Sequence, residues 1–331
     1  MPRTPDTRST RRVLLVALDN LGDLVFTSAL TPPLHAAFPG ATIDVWCKRY
    51  TAPIAPLLPF VDHVIAADPF WAVPAHLSRP SVTAFLRSIG DVRRAAYDVA
   101  LVTGAPWRTA AAVAAARIPV RIGLARHRNQ RFLTHVLPSE NPDKPVLEEQ
   151  ARLLAPLGVT SVAPRYRLDA ARLGGLRDTI AGQLPARFVA LHPFASARNR
   201  CVPLGEWAQL AFALHGRGVP ALWIGTSREL AELRASHTHP NGFYADHLAG
   251  GSLLATAAAL SLASTFVGHD SGPLHIAGAF GVPVVGIFAP GQPLRTFPSG
   301  VGPSRMIVRP SADGITAGEM LREFDALSSA T

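Results

Sequence analysis

Residues 265–288 read TFVGHDSGPLHIAGAFGVPVVGIF, and this stretch decides the fold class. Thr265 to Val267 favours a strand, and Gly268 to Gly272 carries turn chemistry. Pro273 suits the first position of a helix, where its missing N–H costs nothing. Leu274, Ile276, Ala277 and Phe280 recur at helical spacing, Gly281 and Pro283 end that helix, and Val284 to Phe288 reads as a buried strand. Strand, turn, helix, strand is the repeating module of a parallel sheet. A helix that starts directly behind a strand offers unpaired N–H groups and a positive dipole end, which suit phosphate. Ser271 and Gly272 are small enough to let a phosphate oxygen approach. On spacing alone this is one βαβ unit of any α/β protein.

Working outward, Val13 to Leu18 is a short, wholly apolar run of the kind found in the middle of a parallel sheet. Asp19-Asn20-Leu21-Gly22-Asp23 reads as a loop, and the chain turns helical from Leu24 to Leu30. Pro32 and Pro33 are expected to interrupt that helix, with a second short one from Leu34 to Phe38. The opening lacks a G-x-G-x-x-G fingerprint, which argues against a dinucleotide oxidoreductase. Further strands are expected at His63–Ala66, Tyr97–Val102, Phe188–Pro193 and Pro220–Gly225. Helices are expected at Val82–Arg94, Val146–Leu157, from Thr226, and near Ile315–Leu327. The aromatic loop Pro69 to Pro74 either covers a cleft or plugs a core, and Pro138 to Lys144 is loop-like.

A chain of 331 residues exceeds what one core usually supports, so two domains are expected. Their boundary is placed between residues 165 and 185, giving 1–170 and 171–331. Hydrophobic residues are 48% and charged residues 17%, a globular rather than disordered balance. The two cysteines, Cys47 and Cys201, lie far apart and lack metal spacing. They point to a reducing compartment and against a disulfide framework or a zinc site. The apolar run after the basic amino terminus is too short for a signal peptide or a membrane span, so a cytoplasmic protein is expected. The net charge of +9, from 32 Lys+Arg against 23 Asp+Glu, suits an anionic partner and is compatible with contact at the inner face of the cytoplasmic membrane. No RNA-binding aromatic motif or zinc-finger spacing accompanies it, so nucleic acid is not the expected partner.

The run Asp270-Ser271-Gly272-Pro273-Leu274-His275 resembles the D-[ST]-G-x-x-H signature of glycosyltransferase family 9, the heptosyltransferase-like enzymes. Leu21-Gly22-Asp23 resembles that family's amino-terminal L-G-D. Phe38-Pro39 followed by Ile43-Asp44-Val45, Tyr97 to Val102, and Arg121-Ile122-Gly123 resemble further segments of it, so that the likeness runs over nearly the whole chain. It implies the GT-B architecture, an α/β fold of two Rossmann-like domains with mostly parallel sheets facing a cleft. The first would bind the acceptor and the second the nucleotide sugar.

The activity implied is inverting transfer of a sugar, heptose from ADP-heptose in the first instance, onto a glycan or glycolipid acceptor such as lipopolysaccharide core. Asp23 falls where relatives carry a proposed general base. A carboxylate at a strand's carboxyl end can take the proton of a sugar hydroxyl as the new bond forms. An Asp just before an apolar helical pattern also caps helices, and that reading stays beside the first.

Arg200 stands where relatives usually carry a phosphate-binding lysine, and Val202 where they carry tryptophan. Arginine keeps the charge and can stabilise a leaving diphosphate. Glu229 falls at the position of a ribose-binding Glu, although a Glu in a first helical turn also serves the dipole. Asp270, Ser271, Gly272 and His275 complete the implied donor site. Asp270 has the wrong charge for phosphate, which leaves hydroxyl recognition or capping, and His275 is either a phosphate contact or a structural residue. Arg121, Arg126, Arg128 and Arg131 are candidates for acidic groups of the acceptor, against the reading of a merely solvated face. His247 to Leu254 resembles a segment near the nucleotide base. No cofactor is implied, and no D-x-D pair is placed to hold a metal.

Two readings from other classes stay open. One is a nucleotide-sugar enzyme on the same fold that isomerises or hydrolyses; the other is a non-catalytic anion or nucleic-acid binder using the basic surface. Within the transferase reading, a small-molecule acceptor or another nucleotide-sugar donor is the alternative.

Overall fold

The computed structural model describes residues 10–72, 81–104, 106–126, 128–139, 144–159, 163–236, 243–248 and 251–328. Residues 1–9 of the basic amino terminus, Val73 and Pro74 of the aromatic loop, residues 140–143 of the Pro138–Lys144 loop, and Ala249 and Gly250 lie outside the described residues.

The chain divides into two compact units between Tyr166 and Arg167. The first is built from β1 (Arg12–Ala17), α1 (Leu21–Thr27), α2 (Thr31–Ala37), β2 (Thr42–Cys47), β3 (His63–Ala66), α3 (Val82–Ala95), β4 (Val99–Val102), α4 (Trp107–Ala115), β5 (Val120–Leu124), β6 (His135–Leu137) and α5 (Val146–Ala151). Its six strands form one parallel sheet in the order β3-β2-β1-β4-β5-β6, with Val13 opposite Ile43 on one side and Val99 on the other. Helices cover both faces, so the central strands are buried on both sides and read as unbroken apolar runs. Val13 to Ala17 are fully buried, as are Val99 to Leu101.

The chain is helical from Leu21, earlier than the sequence suggests. Gly22 sits inside the first turn of α1, Asn20 takes the cap position, and Asp23 is the third helical residue. Pro32 and Pro33 do not interrupt a helix; they occupy the first turn of α2, where they forfeit no intrahelical bond. The two are joined by a 3-10 turn, Ser28–Leu30. The aromatic loop acts as a plug, with the Trp71 ring edge-on against Phe85 of α3, 4.9 Å between centroids. Asp44 and Tyr97 belong to sheet architecture: the Tyr97 hydroxyl donates to Asp44 at 2.6 Å, and Asp98 accepts the Arg11 and Arg12 N–H groups at 2.8 and 2.9 Å.

The second unit contains α6 (Gly175–Ala181), β7 (Val189–His192), α7 (Leu204–Gly216), β8 (Ala221–Trp223), α8 (Ser227–Ala235), β9 (Phe243–Tyr244), α9 (Leu253–Leu260), β10 (Thr265–His269), α10 (Gly272–Ala279), β11 (Val284–Phe288), β12 (Ser304–Val308) and α11 (Ala317–Ser328). Its sheet is again parallel and six-stranded, in the order β12-β11-β10-β7-β8-β9. Trp207, Trp223, Leu210, Leu214 and Met320 fill one core beneath it. Burying one such side chain contributes about 2–3 kcal/mol. The terminal helix packs back onto that core, its start fixed by the Ala317 N–H donating to Glu206 at 2.7 Å.

Both sheets therefore reverse direction once, between β1 and β4 in the first unit and between β7 and β10 in the second. In open parallel sheets the carboxyl ends of the strands flanking such a reversal form the binding crevice. That rule points to the residues after Ala17 and Val102, and to those after His192 and His269.

Candidate functional site

In the second unit, the strand ends at the reversal gather the cluster read from the sequence. Asp270 follows β10 directly. It accepts from Arg200 Nη2 at 3.1 Å and from the Thr296 hydroxyl at 3.2 Å, and His275 Nε2 lies 3.5 Å from its other oxygen. Burial opposes ionisation of Asp270, but the His275 bond and charge, together with Arg200, outweigh it and hold the carboxyl below its ordinary range. Asp270 is thus the hub that aims two cationic or donor side chains. Arg200, on the 3-10 turn Arg198–Arg200, is fixed a second time by its Nε donating to the Pro290 carbonyl at 3.0 Å. Part of the guanidinium stays accessible.

Ser271 occupies the cap position of α10, but its hydroxyl donates to the His269 carbonyl at 3.0 Å instead of capping. Gly272 and Pro273 open the helix. The backbone N–H groups of that first turn, beside Arg200, can receive anionic oxygens. His275 is buried in the helix at hydrogen-bonding distance of Asp270, which makes it a support of the hub.

Two histidines the sequence reading passed over lie beneath this cluster. His192, the last residue of β7, donates from Nδ1 to the Ile224 carbonyl at 2.9 Å, and burial lowers its pKa. His269, the last residue of β10, accepts the Val202 N–H at Nε2, 3.1 Å away, and stands edge-on to Trp207. Burial pushes its pKa down to about 3, with His192 and Arg200 adding and Asp270 opposing. The ring is neutral, with its proton on Nδ1. Val202 is therefore no loose substitute for tryptophan; it is buried, and its N–H pins the Arg200 turn to the sheet. Gly268 is required here. A Cβ on it would come within 2.7 Å of the Phe266 ring and 2.9 Å of His192 Cβ.

Glu229 stands in the first turn of α8, where its carboxylate accepts the Thr226 N–H and hydroxyl, each at 2.8 Å. The reciprocal bond from Glu229 N to the Thr226 hydroxyl completes a capping box. It lies close enough to His192 and Cys201 to influence both electrostatically.

In the first unit, Asp23 lies at the equivalent reversal. Its Oδ2 accepts the Asn20 N–H at 3.0 Å, so it folds back over the start of α1. Around it stand groups to which the sequence alone assigns no role: Asp19 after β1, Lys48 and Tyr50 after β2, and Asp68 after β3. Burial raises the Asp19 pKa from 3.8 to about 6, with Asp23 adding and Lys48 opposing. Burial raises Tyr50 to about 12 and lowers Lys48, whose three neighbouring carboxylates work against that lowering. A polar residue directly behind an apolar strand of a parallel sheet is the signal that could have found Asp19 and Lys48.

The four arginines of the basic segment divide. Arg121 is committed to the carbonyls of Phe132 and Ile118, and Arg126 pairs with buried Glu149. Arg128 and Arg131 are exposed, the second lying over the Phe132 ring. Phe132 in turn stacks on Trp107, over which Arg108 sits.

Among the described residues no helix is long and apolar enough to cross a membrane. Residues 85–314 match the sequence model of a family described as glycosyltransferase family 9 (heptosyltransferase). The lipopolysaccharide heptosyltransferase 3 of Escherichia coli is 24% identical over 283 residues, spanning 81% of this chain and 80% of that protein. A family 9 glycosyl transferase from Veillonella parvula has the same fold, with a TM-score of 0.83 at 15% identity over 99% of this chain and 100% of that one. The E. coli ADP-heptose lps heptosyltransferase II superposes with a TM-score of 0.79 at 21% identity, over 96% and 99% of the two chains.

Proposed function

The chain belongs to glycosyltransferase family 9 and is a glycosyltransferase, and on that premise we propose that it moves heptose from ADP-heptose onto a hydroxyl of a lipopolysaccharide-core or related glycan. The observation that carries the donor half is the Arg200–Asp270–His275 cluster at the mouth of α10. An acidic hub that spends its charge on orienting an arginine, beside an uncapped helix N-terminus, is built to receive a diphosphate. The names of the similar proteins supply ADP-heptose and lipopolysaccharide.

In this reading residues 1–170 bind the acceptor and 171–331 the donor. Asp23 takes the acceptor hydroxyl's proton while that oxygen bonds to the anomeric carbon. The bond from that carbon to the diphosphate breaks, and its electron pair leaves with the nucleoside diphosphate. Arg200 and the backbone N–H groups at Gly272 meet the charge that develops there. Attack opposite to departure inverts the anomeric centre. Glu229 keeps one carboxylate oxygen outside its capping box for a ribose hydroxyl.

Thermal unfolding in the presence of ADP, ADP-heptose, UDP and GDP tests the donor half, with wild type and Arg200→Ala side by side. Stabilisation by the adenine compounds, lost in Arg200→Ala, is expected. A shift with UDP or GDP alone changes the donor, and no shift at millimolar nucleotide overturns the donor site. Transfer to a lipopolysaccharide-core acceptor, abolished in Asp23→Asn, tests the other half.

A further inference from the structure

The titratable groups around Asp23 are not used in the reaction as written, and their arrangement is specific. Asp23 Oδ2 lies 3.0 Å from the Asn20 nitrogen, the nitrogen of the peptide that joins Asn20 to Asp19. The two carboxylates therefore belong to one short span of backbone at the carboxyl end of β1. On its far side Asp19 is seated against Gly104, just after β4. A Cβ at Gly104 would fall 2.2 Å from Asp19 Oδ2, so any other residue there would displace the carboxylate. Just after β2, Lys48 is 4% exposed; its carbonyl accepts from the Thr51 hydroxyl at 3.0 Å, while its ammonium makes no hydrogen bond or ion pair with another described residue. Its ammonium is nonetheless within electrostatic reach of Asp19, Asp23 and Asp68. Tyr50 contacts Leu21 through its hydroxyl, and Asp68 is held by the Arg49 N–H at 3.0 Å. One buried cation and one phenol thus share the same three carboxyl groups.

We propose that Asp19 is a positioning residue for the transfer, acting through Asp23, and that Lys48 sets the charge balance between them. The inference rests on Asp23 being the general base. A base that must take a proton from a sugar hydroxyl gains from high proton affinity, and an ionised neighbour raises that affinity because the pair repel. Ionised Asp19 does this for Asp23; protonated Asp19 does not. Lys48 works the other way and favours the ionised form of both carboxyl groups. In the transfer the proton passes from the acceptor to Asp23 alone, and Asp19 changes only how strongly it is drawn.

A residue that merely fills space under α1 would lower activity or stability when replaced, without moving a titration. The distinguishing experiment follows aspartate carboxyl carbons by NMR from pH 4 to 9 in wild type, Asp19→Asn, Lys48→Met and Asp23→Asn. The signal lost in Asp19→Asn is expected to titrate near 6 in the wild type. The Asp23 midpoint should fall in Asp19→Asn and rise in Lys48→Met, about tenfold in proton affinity each way. The acid limb of transfer rate against pH should follow the same opposite directions, in kcat and not in the donor KM. An Asp19 signal titrating like an exposed carboxylate, or an Asp23 midpoint that stays put or moves the same way in both variants, overturns the inference. Full transfer by Asp23→Asn would instead remove the general-base reading, and the NMR arms would still decide the coupling. Should Asp19→Asn not fold, wild type and Lys48→Met carry the test alone.

Discussion

Replacing Asp19 by Asn should stabilise the first unit at neutral pH, and by an amount that depends on pH in a defined way. In the folded chain burial lifts this carboxyl from 3.8 to about 6. The folded state therefore holds the proton more tightly than the unfolded state. Stability from this group is fullest below 3.8, erodes as pH rises toward 6, and is level above that. At ~1.36 kcal/mol per pH unit, the full displacement costs the wild type ~3 kcal/mol at high pH. Part of that is already lost at pH 4.5, which leaves about 2 kcal/mol between pH 4.5 and pH 8. Asn keeps the shape and does not titrate. Urea unfolding of both proteins at the two pH values, followed by tryptophan fluorescence, gives the comparison. Amide exchange in β1 identifies the transition that belongs to the first unit. The gap between Asp19→Asn and wild type should widen in favour of Asn by about 2 kcal/mol from pH 4.5 to pH 8. A constant offset at both pH values reflects lost contacts and is immaterial. A gap that does not change with pH, or that closes toward pH 8, refutes the burial argument.

Gly268→Ala must push a Cβ into the Phe266 ring and His192, so a loss of roughly 1–3 kcal/mol is expected in thermal or urea unfolding, with weaker protection by ADP. His269→Ala leaves the Val202 N–H without its acceptor and opens space beside Trp207; ADP protection should fall even though Arg200 is intact, as read by the thermal shift. Asp270→Asn removes a carboxyl held below its usual range, whose contribution is present above the unfolded value of 3.8 and is lost as pH falls through the folded one. The variant should be less stable than wild type at pH 7 and approach it in acid, measured by unfolding at a series of pH values. Arg126→Ala takes the guanidinium from buried Glu149 and should cost roughly 3 kcal/mol, whereas Arg128→Ala on the exposed side should stay within about 0.5 kcal/mol in urea unfolding.

The strands were legible because a parallel sheet covered on both faces admits only apolar residues, and Val13 to Leu18 or Val284 to Phe288 allow little else. The start of α1 lies three residues before the Leu24 that the sequence suggests, because Gly22 looks like a breaker but sits within the first turn. The spacing of Asn20 and Asp23 was the better signal, since an Asn three residues before an Asp can form a reciprocal cap. Asp270 was visible within its motif, but its partners were not equally so. His275 shares its helix, while Thr296 and the Pro290 carbonyl arrive from a loop with no motif, placed by tertiary packing alone. The arginine segment shows the same limit from the other side. Charge density is a sequence property, but whether an arginine faces solvent depends on acceptors elsewhere. For Arg121 those are main-chain carbonyls, and for Arg126 a Glu that lies 23 residues away. Asp19 and Lys48 stand in the sequence as polar residues ending apolar strands, a pattern that carries meaning only once the strand order is known.

That strand order also sets a timetable for synthesis. Each sheet begins with one of its two middle strands, extends to one side, and only later returns to cover the other edge of that first strand. In the second unit β7 ends at His192 and its partner β10 begins at Thr265, 73 residues later by subtraction. At roughly 5–20 residues per second, the ribosome leaves the apolar edge of β7 without its partner for about 4–15 s. During that interval Val189 to Leu191 present a bare row of backbone donors and acceptors to any passing strand. The first unit waits longer still, because β1 ends at Ala17 and β4 begins only at Val99, 82 residues later by subtraction, so its newborn chain is the half that stands to gain most from a chaperone.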